Sequence, residues 1–102
     1  MIIIEVVLAA GLISPTDLPN LVKKVEEAVN PASVGQRVVC LSGRLPVWAF
    51  AALTHLYHPT KGVATFDPRL GGGVVVASHD PSGPTLGDVI PEEGAEKVTI
   101  TF

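Results

Sequence analysis

The sequence has 102 residues, a formal net charge of −3, and 47% hydrophobic against 17% charged residues. This length suits one compact domain, residues 1–102, and is too short for two ordinary ones. The negative charge argues against a nonspecific DNA binder, which needs a broad basic face, but not against a small anionic ligand held by a few local donors.

The chain is unusually apolar, with a mean hydropathy of +0.44. We expect strands covered on both faces together with a surface that pairs with another copy. The apolar start contains Glu5, has no Lys or Arg ahead of it and is too short to span a bilayer, so we expect a cytoplasmic protein with no membrane partner. Cys40, the only cysteine, lies in an apolar run and is expected to be a packed thiol.

The first half of the chain reads as strand, helix, strand. Residues 2–9 are apolar with almost no alternation, which predicts a strand covered on both faces. Apolar residues at helical spacing over 18–29 predict a covering helix with a charged outer face. Asn30-Pro31 ends this helix, and residues 37–41 form the second predicted strand.

The second half begins with a helix from Pro46 to about Tyr57. It is apolar on nearly every side, so we expect a partner subunit to supply part of its cover. Strands over 62–66 and 74–78 follow, and the connection Gly71–Gly73 between them predicts a hairpin.

The last part of the chain is expected to be a surface loop and an edge strand. Residues 80–94 are rich in Pro, Gly and Asp, which is typical of a loop. Residues 97–102 alternate between apolar and polar, which predicts a half-exposed edge strand. The element order predicts an α/β fold: a small Rossmann-like domain whose mostly parallel sheet carries a C-terminal antiparallel hairpin, an edge strand and two main helices.

A predicted strand-to-helix turn carries Ser42, Gly43 and Arg44. Backbone N–H groups at a helix start attract anions, and Gly43 allows a phosphate to approach the backbone closely. Ser42 adds a hydroxyl, and the Arg44 guanidinium suits phosphate oxygens. The alternative is a tight turn in which the serine or its neighbour caps the helix.

His55 and His58 are three residues apart near the end of the second predicted helix. They could ligate a metal, or one could act as a general acid or base near neutral pH. The alternative is two partly exposed imidazoles that the helix dipole favours.

Asp67, Arg69 and His79 complete the set of candidate residues. The carboxylate offers a hard metal ligand, the guanidinium can offset charge on a phosphoryl group, and His79 is a further nitrogen ligand. The alternative is a turn held by an Asp67–Arg69 ion pair. Imidazole and carboxylate without cysteine ligands favour Mn²⁺ over a structural Zn²⁺. Spacing alone predicts an anion site compatible with metal-dependent phosphodiester chemistry.

Four motifs in order resemble the small ring nucleases of type III CRISPR systems, minimal relatives of the CRISPR-associated Rossmann fold domains. They are S-G-R-L-P-V-W, H-L-Y-H, F-D-P-R-L-G and V-V-V-A-S-H, within about residues 38–79. The resemblance implies a Mn²⁺-dependent enzyme that cleaves the second messenger cyclic tetra-adenylate and so switches off antiviral signalling. It also implies a homodimer that stacks head-to-tail, as a tetramer or filament, around the ring.

The resemblance assigns a role to each candidate residue. Ser42, Gly43, Arg44 and His55 are assigned to ligand binding, and His55 lies close to the catalytic set. His58, Asp67 and Arg69 correspond to the catalytic set on the opposite face, and the metal would lie among Asp67, His58 and His79. This chain departs from the family where Pro59 follows His58 and where the glycine triplet lengthens the linker before His79. The alternatives are a binding module that senses the ligand without cutting it, and a Mn²⁺-dependent exonuclease acting on RNA 3′ ends.

Overall fold

A computed structural model describes residues 1–102 and contains one six-stranded sheet. The strands are β1 Ile2–Val7, β2 Val38–Gly43, β3 Gly62–Asp67, β4 Gly72–Ser78, β5 Val89–Pro91 and β6 Glu96–Thr101. The α-helices are α1 Leu18–Ala28 and α2 Val47–Leu56, and two short 3-10 helices cover Pro15–Asp17 and Pro31–Val34.

The spatial order of the strands is β5-β4-β3-β2-β1-β6. β1 pairs in parallel with β2 and β6, and β2 pairs in parallel with β3. β4 is antiparallel to both β3 and β5. The predicted α/β fold is therefore confirmed: helical crossovers make the centre parallel, and the hairpin reverses direction on one side. The predicted edge strand is also confirmed, as β6 closes the other side.

Both helices lie on one face of the sheet and form the larger core. Alternate side chains of β1 face them, since Ile2, Ile4 and Val6 belong to the same cluster as Leu21 of α1 and Leu53 of α2. The strand period of two sends the intervening side chains to the opposite face. Neither helix has the length and apolar character needed to cross a membrane.

The opposite face is covered by the chain itself. Ile3, Cys40, Ala64 and Val75 form a second buried cluster there. The link from the end of β5 to the start of β6 is four residues long, although these strands lie on opposite sides of the sheet. Such a link can join them only by crossing this face of a curled sheet, and Ala95 within it packs on the cluster. The expectation of strands covered on both faces holds for the centre of the sheet.

Cys40 is a packed thiol, as predicted. Its side chain is fully buried in the second cluster. Burial raises the pKa of Cys40 to about 11, and the nearby carboxylate of Glu92 adds to the shift. A thiol with this pKa is protonated at neutral pH and is a poor nucleophile.

Two predictions about the second half of the chain are wrong in detail. The predicted loop 80–94 contains β5, and Gly72 and Gly73 belong to β4 rather than to the connection. A side chain at Gly72 would collide with the carbonyl oxygen of Ile90, and one at Gly73 would lie 2.8 Å from the Cys40 sulfur. The two glycines therefore allow β5 and the second core to approach β4 closely.

Helix α2 leaves much of its apolar surface in solvent. Only Ala49 and Leu53 are buried, whereas Val47 is 83% exposed. This exposure is what the expected partner subunit would cover, and that interface stays a prediction. The helix also ends before His58, so His55 and His58 do not share it as predicted.

Candidate functional site

An open cleft of about 570 Å³ lies at the edge of the sheet where β1, β2 and β3 end. Its lining residues are Glu5, Val6, Val7, Leu8, Gly11, Ser42, Gly43, Arg44, Phe66 and Pro68. We call it the carboxyl-edge cleft. Its volume is within the range of small-ligand pockets, and its place at the ends of parallel strands is where open α/β sheets bind ligands.

The predicted anion-binding turn forms one wall of this cleft. Gly43 has a φ of 139°, and a side chain there would collide with the carbonyl oxygen of Val6 on β1. Only glycine satisfies both restrictions, because it lacks a Cβ atom. This close approach of β2 to β1 seats Ser42, which is 8% exposed, at the cleft wall.

The charges at the cleft suit an anionic ligand. Arg44 is exposed and takes part in none of the ion pairs of the protein, so its donors are available to a phosphate. Glu5 also lines the cleft, but Lys97 lies 3.5 Å from its carboxylate and offsets its charge. The cleft therefore has a free guanidinium and a compensated carboxylate.

Asp67 and Arg69 form an ion pair just after β3. Two guanidinium nitrogens of Arg69 lie 3.1 and 3.3 Å from the carboxylate oxygens, and the Arg69 backbone N–H donates to Oδ1 at 2.9 Å. Arg69 is 87% exposed and Asp67 23% exposed. The carboxylate thus orients the guanidinium, whose remaining donors face solvent.

This pairing determines the protonation state of Asp67. The hydrogen bonds from Arg69, with its positive charge, hold the pKa of the Asp67 carboxyl below its ordinary value of 3.8. Because the pKa is depressed in the folded state, the stabilisation from the ion pair is fully present at pH values above the ordinary pKa. It is lost as the pH falls through the lowered pKa of the folded state. Asp67 is therefore an anion at neutral pH and has no role there as a proton donor.

The histidines lie at the opposite edge of the sheet. His58 and His79 stand edge to face, with ring centroids 4.9 Å apart. His79 follows the end of β4, and a second open cleft of about 450 Å³ adjoins it. His55 is exposed in the last turn of α2, whose end leads to the same edge.

One chain does not bring the predicted catalytic set together. Ser78, the residue before His79, pairs with Gly62 at the start of β3, whereas Asp67 ends β3. Five strand steps separate these positions by about 16 Å. The expectation that His58, Asp67 and Arg69 form one catalytic set is not met within a single chain, and their convergence between copies stays a prediction. Asp67 ends β3 and Arg69 follows it, at the edge that carries Ser42, Gly43 and Arg44.

The same separation affects the predicted metal site. No group of three or more His, Cys, Asp or Glu side chains in the chain is arranged to hold a metal ion. His58 and His79 offer imidazole nitrogens at one edge, and Asp67 offers a carboxylate at the other. One chain therefore supplies only part of a ligand set for a transition metal.

Several lining residues of the carboxyl-edge cleft were not predicted as site residues. Leu8 and Gly11 follow β1, Glu5 lies on β1 and Phe66 on β3. The parallel order of the first three strands contains a usable signal, because residues at the ends of parallel strands share one edge. Applied to β1, this rule finds the residues at the end of the strand, but it does not show that the Glu5 side chain lines the cleft.

Comparison with known proteins gives a family match and a relative. Residues 7–91 match the family described as CRISPR-associated protein (Cas_csx3). The chain is also 59% identical, over 56 residues, to an uncharacterised protein of Aquifex aeolicus (strain VF5). That alignment covers 55% of this chain and 50% of the relative. The chain thus matches about half the length of this relative.

We predict that replacing the oriented guanidinium changes the titration of Asp67. Arg69→Gln removes the charge and the side-chain donors, so the Asp67 pKa should rise toward 3.8. Carbon-13 NMR of the carboxyl group across acid pH measures the change. Arg44→Gln is the matched control, because Arg44 has no carboxylate partner, and it should leave the Asp67 titration unchanged. An unchanged titration in Arg69→Gln would refute the assigned cause.

Because the family model matches residues 7–91, well over half of its length, this chain is a member of the CRISPR-associated Cas_csx3 family.

Proposed function

We propose that this protein is a Mn²⁺-dependent nuclease that binds cyclic tetra-adenylate and opens the ring. The observation that carries the proposal is the distribution of reactive groups over the two edges of the sheet. The turn with Ser42, Gly43 and Arg44 and an oriented guanidinium lie at one edge, and an imidazole pair lies at the other. Membership of a CRISPR-associated family supports a substrate from that defence system.

The active site of the proposed enzyme forms between copies. Head-to-tail stacking brings the carboxyl edge of one copy to the opposite edge of the next, and so combines Asp67 and Arg69 with His58 and His79. A cleft of about 570 Å³ suits a single small ligand, and a ring of four nucleotides is larger than that. The apolar surface of α2 gives the homodimer a contact face.

The reaction is an internal transesterification. A ribose 2′ oxygen attacks the adjacent phosphorus, the bond from phosphorus to the 5′ oxygen breaks, and a cyclic phosphate end forms. An imidazole takes the hydroxyl proton, and the leaving 5′ oxygen gains one. Arg69, held by Asp67, donates to the phosphoryl oxygens as their charge increases. Two such cuts convert the ring to linear di-adenylate.

The donor chemistry fits a divalent metal only when two copies are combined. His58 and His79 would supply nitrogen ligands, and Asp67 of the neighbouring copy an oxygen ligand, which suits Mn²⁺. The bound ion would neutralise charge on the phosphoryl group. Because Arg69 already occupies both oxygens of Asp67, metal binding by this carboxylate competes with the ion pair.

A binding module is the second function that the structure favours. The carboxyl-edge cleft contains Ser42, Gly43 and Arg44 within one chain and needs no second copy. A protein that only sensed the ring would use this edge alone. Its histidines would then have no effect on the ligand.

A substrate panel tests the proposal directly. We expect the protein to convert cyclic tetra-adenylate to linear di-adenylate with Mn²⁺ and to lose this activity with a chelator. Chromatography of reactions with cyclic tri-, tetra- and hexa-adenylate and with poly-adenylate RNA measures the products. Binding without any product supports the sensor, and shortening of RNA with an intact ring supports a 3′-end exonuclease.

We predict that Asp67→Ala abolishes turnover while ligand affinity at Ser42 and Arg44 stays within a few-fold. The change removes a proposed metal ligand and also releases Arg69 from its orientation. Loss of one preorganised element alone lowers kcat about 10²–10³-fold, so loss of both should leave no measurable turnover. Single-turnover kinetics and equilibrium binding separate the two effects. Formation of linear di-adenylate at the normal rate would show that Asp67 is not catalytic.

A mixing experiment tests whether the site lies between copies. Asp67→Ala and His58→Ala should each be inactive, because each lacks a group from one edge. Their mixture should recover activity, since random stacking puts an intact pair of edges at about one interface in four. The rate is measured at a protein concentration where copies associate. Continued inactivity of the mixture, with the wild type active, would place the whole site within one chain or one dimer.

A further inference from the structure

We propose that Thr60 is a positioning residue that fixes the ring of His79 and so prepares the imidazole pair; this inference rests on the proposed nuclease function. Thr60 is 2% exposed, which is uncommon for a threonine outside a helix or strand. It lies between His58 and β3, in the loop that connects α2 to the sheet. Its hydroxyl is buried against backbone carbonyls and therefore does not face a ligand.

The backbone of the Thr60 loop holds His79 at two points. The carbonyl oxygen of Thr60 lies 2.9 Å from Nδ1 of the His79 ring. The backbone N–H of His79 donates to the carbonyl of Lys61 at 3.0 Å. Both the main chain and the ring of His79 are thus attached to the same short loop.

The first of these bonds selects one tautomer of His79. A carbonyl oxygen can only accept a hydrogen bond, so Nδ1 carries the proton. In the neutral ring, Nε2 then has the free lone pair, and a base or a metal ligand needs such a nitrogen. Hydrogen bonding at one ring nitrogen commonly sets the role of the other in this way.

The hydroxyl of Thr60 holds its own carbonyl in place. Oγ1 lies 2.6 Å from the carbonyl oxygen of Tyr57 and 3.1 Å from that of Gly62. The hydroxyl has one proton and donates to one of these carbonyls at a time, and that of Tyr57 is the nearer. Tyr57 is fully buried, and its phenol donates to the carbonyl of Val29 at 2.8 Å. The loop is therefore anchored in the core through Tyr57.

His58 benefits from the same anchoring. It lies between Tyr57 and Thr60 in the chain, and its ring stands against His79. Its backbone N–H donates to the backbone carbonyl of His55 at 3.1 Å. A loop held on both sides of an exposed histidine limits the arrangements of the pair. The hydroxyl of Thr60 is thus expected to act on activity through His79 and His58, without contact with the ligand.

Nitrogen-15 NMR of the imidazole rings tests this without metal, substrate or turnover. At a pH where the histidines are neutral, we expect wild-type His79 to show the Nδ1–H tautomer. Thr60→Val keeps the shape of the side chain and removes the hydroxyl, so the His79 signal should move toward a mixture of tautomers. Thr60→Ser keeps the hydroxyl and should restore the wild-type signal. An Nε2–H tautomer in the wild type would overturn the proposal whatever the variants do.

Kinetics supply the second readout. Loss of a group that orients such a ligand typically lowers activity about 10–100-fold, which we expect of Thr60→Val in kcat with little change in KM. Thr60→Ser should recover most of it. Thr54→Val is the matched control, because Thr54 also donates its hydroxyl to a backbone carbonyl, that of Phe50 at 2.8 Å, and has no bond to His79. It should leave both readouts unchanged.

The two readouts separate failure of this inference from failure of the proposed function. If the wild type cuts the ring but Thr60→Val changes neither tautomer nor kcat, the positioning role is wrong and the nuclease stands. If Thr60→Val shifts the tautomer but the wild type cuts nothing, the proposed nuclease function is wrong and the positioning of His79 by Thr60 is supported. If Thr60→Val does not fold, Thr60→Ala, which also lacks the hydroxyl, takes its place in both measurements with the same two outcomes.

Discussion

Because β1, β2 and β3 pair in parallel, their carboxyl ends meet at one edge of the sheet and their amino ends at the other. Every chemical group of interest is sorted by this constraint. Residues that end or follow a strand, such as Asp67 and Arg44, come to the carboxyl edge. His58 precedes β3 and His79 follows the antiparallel β4, so both come to the opposite edge. The division of the site follows from strand direction and not from the choice of side chains.

Each edge is rigid for a different reason. At the carboxyl edge, Gly43 lets β2 approach β1 so closely that no other residue fits. At the opposite edge, rigidity comes from burial, because Tyr57 is inserted fully into the core and its hydroxyl satisfies the carbonyl of Val29 at the end of α1. Burial raises the pKa of Tyr57, so the phenol stays protonated and remains a donor. The loop between α2 and β3, which carries His58 and Thr60, is thus attached to both helices.

The sequence predicted those parts of the fold that depend on local pattern. Helix α1 follows from the helical period of its apolar residues, and strands β1 and β2 follow from short apolar runs with little alternation. Strand β5 was not predicted. Its three residues pair with β4 at Gly72 and Gly73, where the absence of side chains lets the strands approach, and local pattern does not reveal such a contact between separate segments. The candidate residues were found by type, but the sequence did not show that one chain holds them at two different edges. Whether a residue precedes or follows a parallel strand fixes its edge, and applying that rule to His58 and Asp67 would have separated them.

The separation of the two edges gives assembly a part in the proposed reaction. If the ring binds between copies, it stabilises the stacked form by its differential affinity for that form over the free subunit. Cutting then removes the molecule that bridges the copies, since linear di-adenylate has half the nucleotides of the ring. Stacking would accordingly rise with the messenger and decline as the enzyme destroys it. A carboxyl-edge cleft that bound the whole ring alone would give no such coupling, so a divided site links signal removal to disassembly.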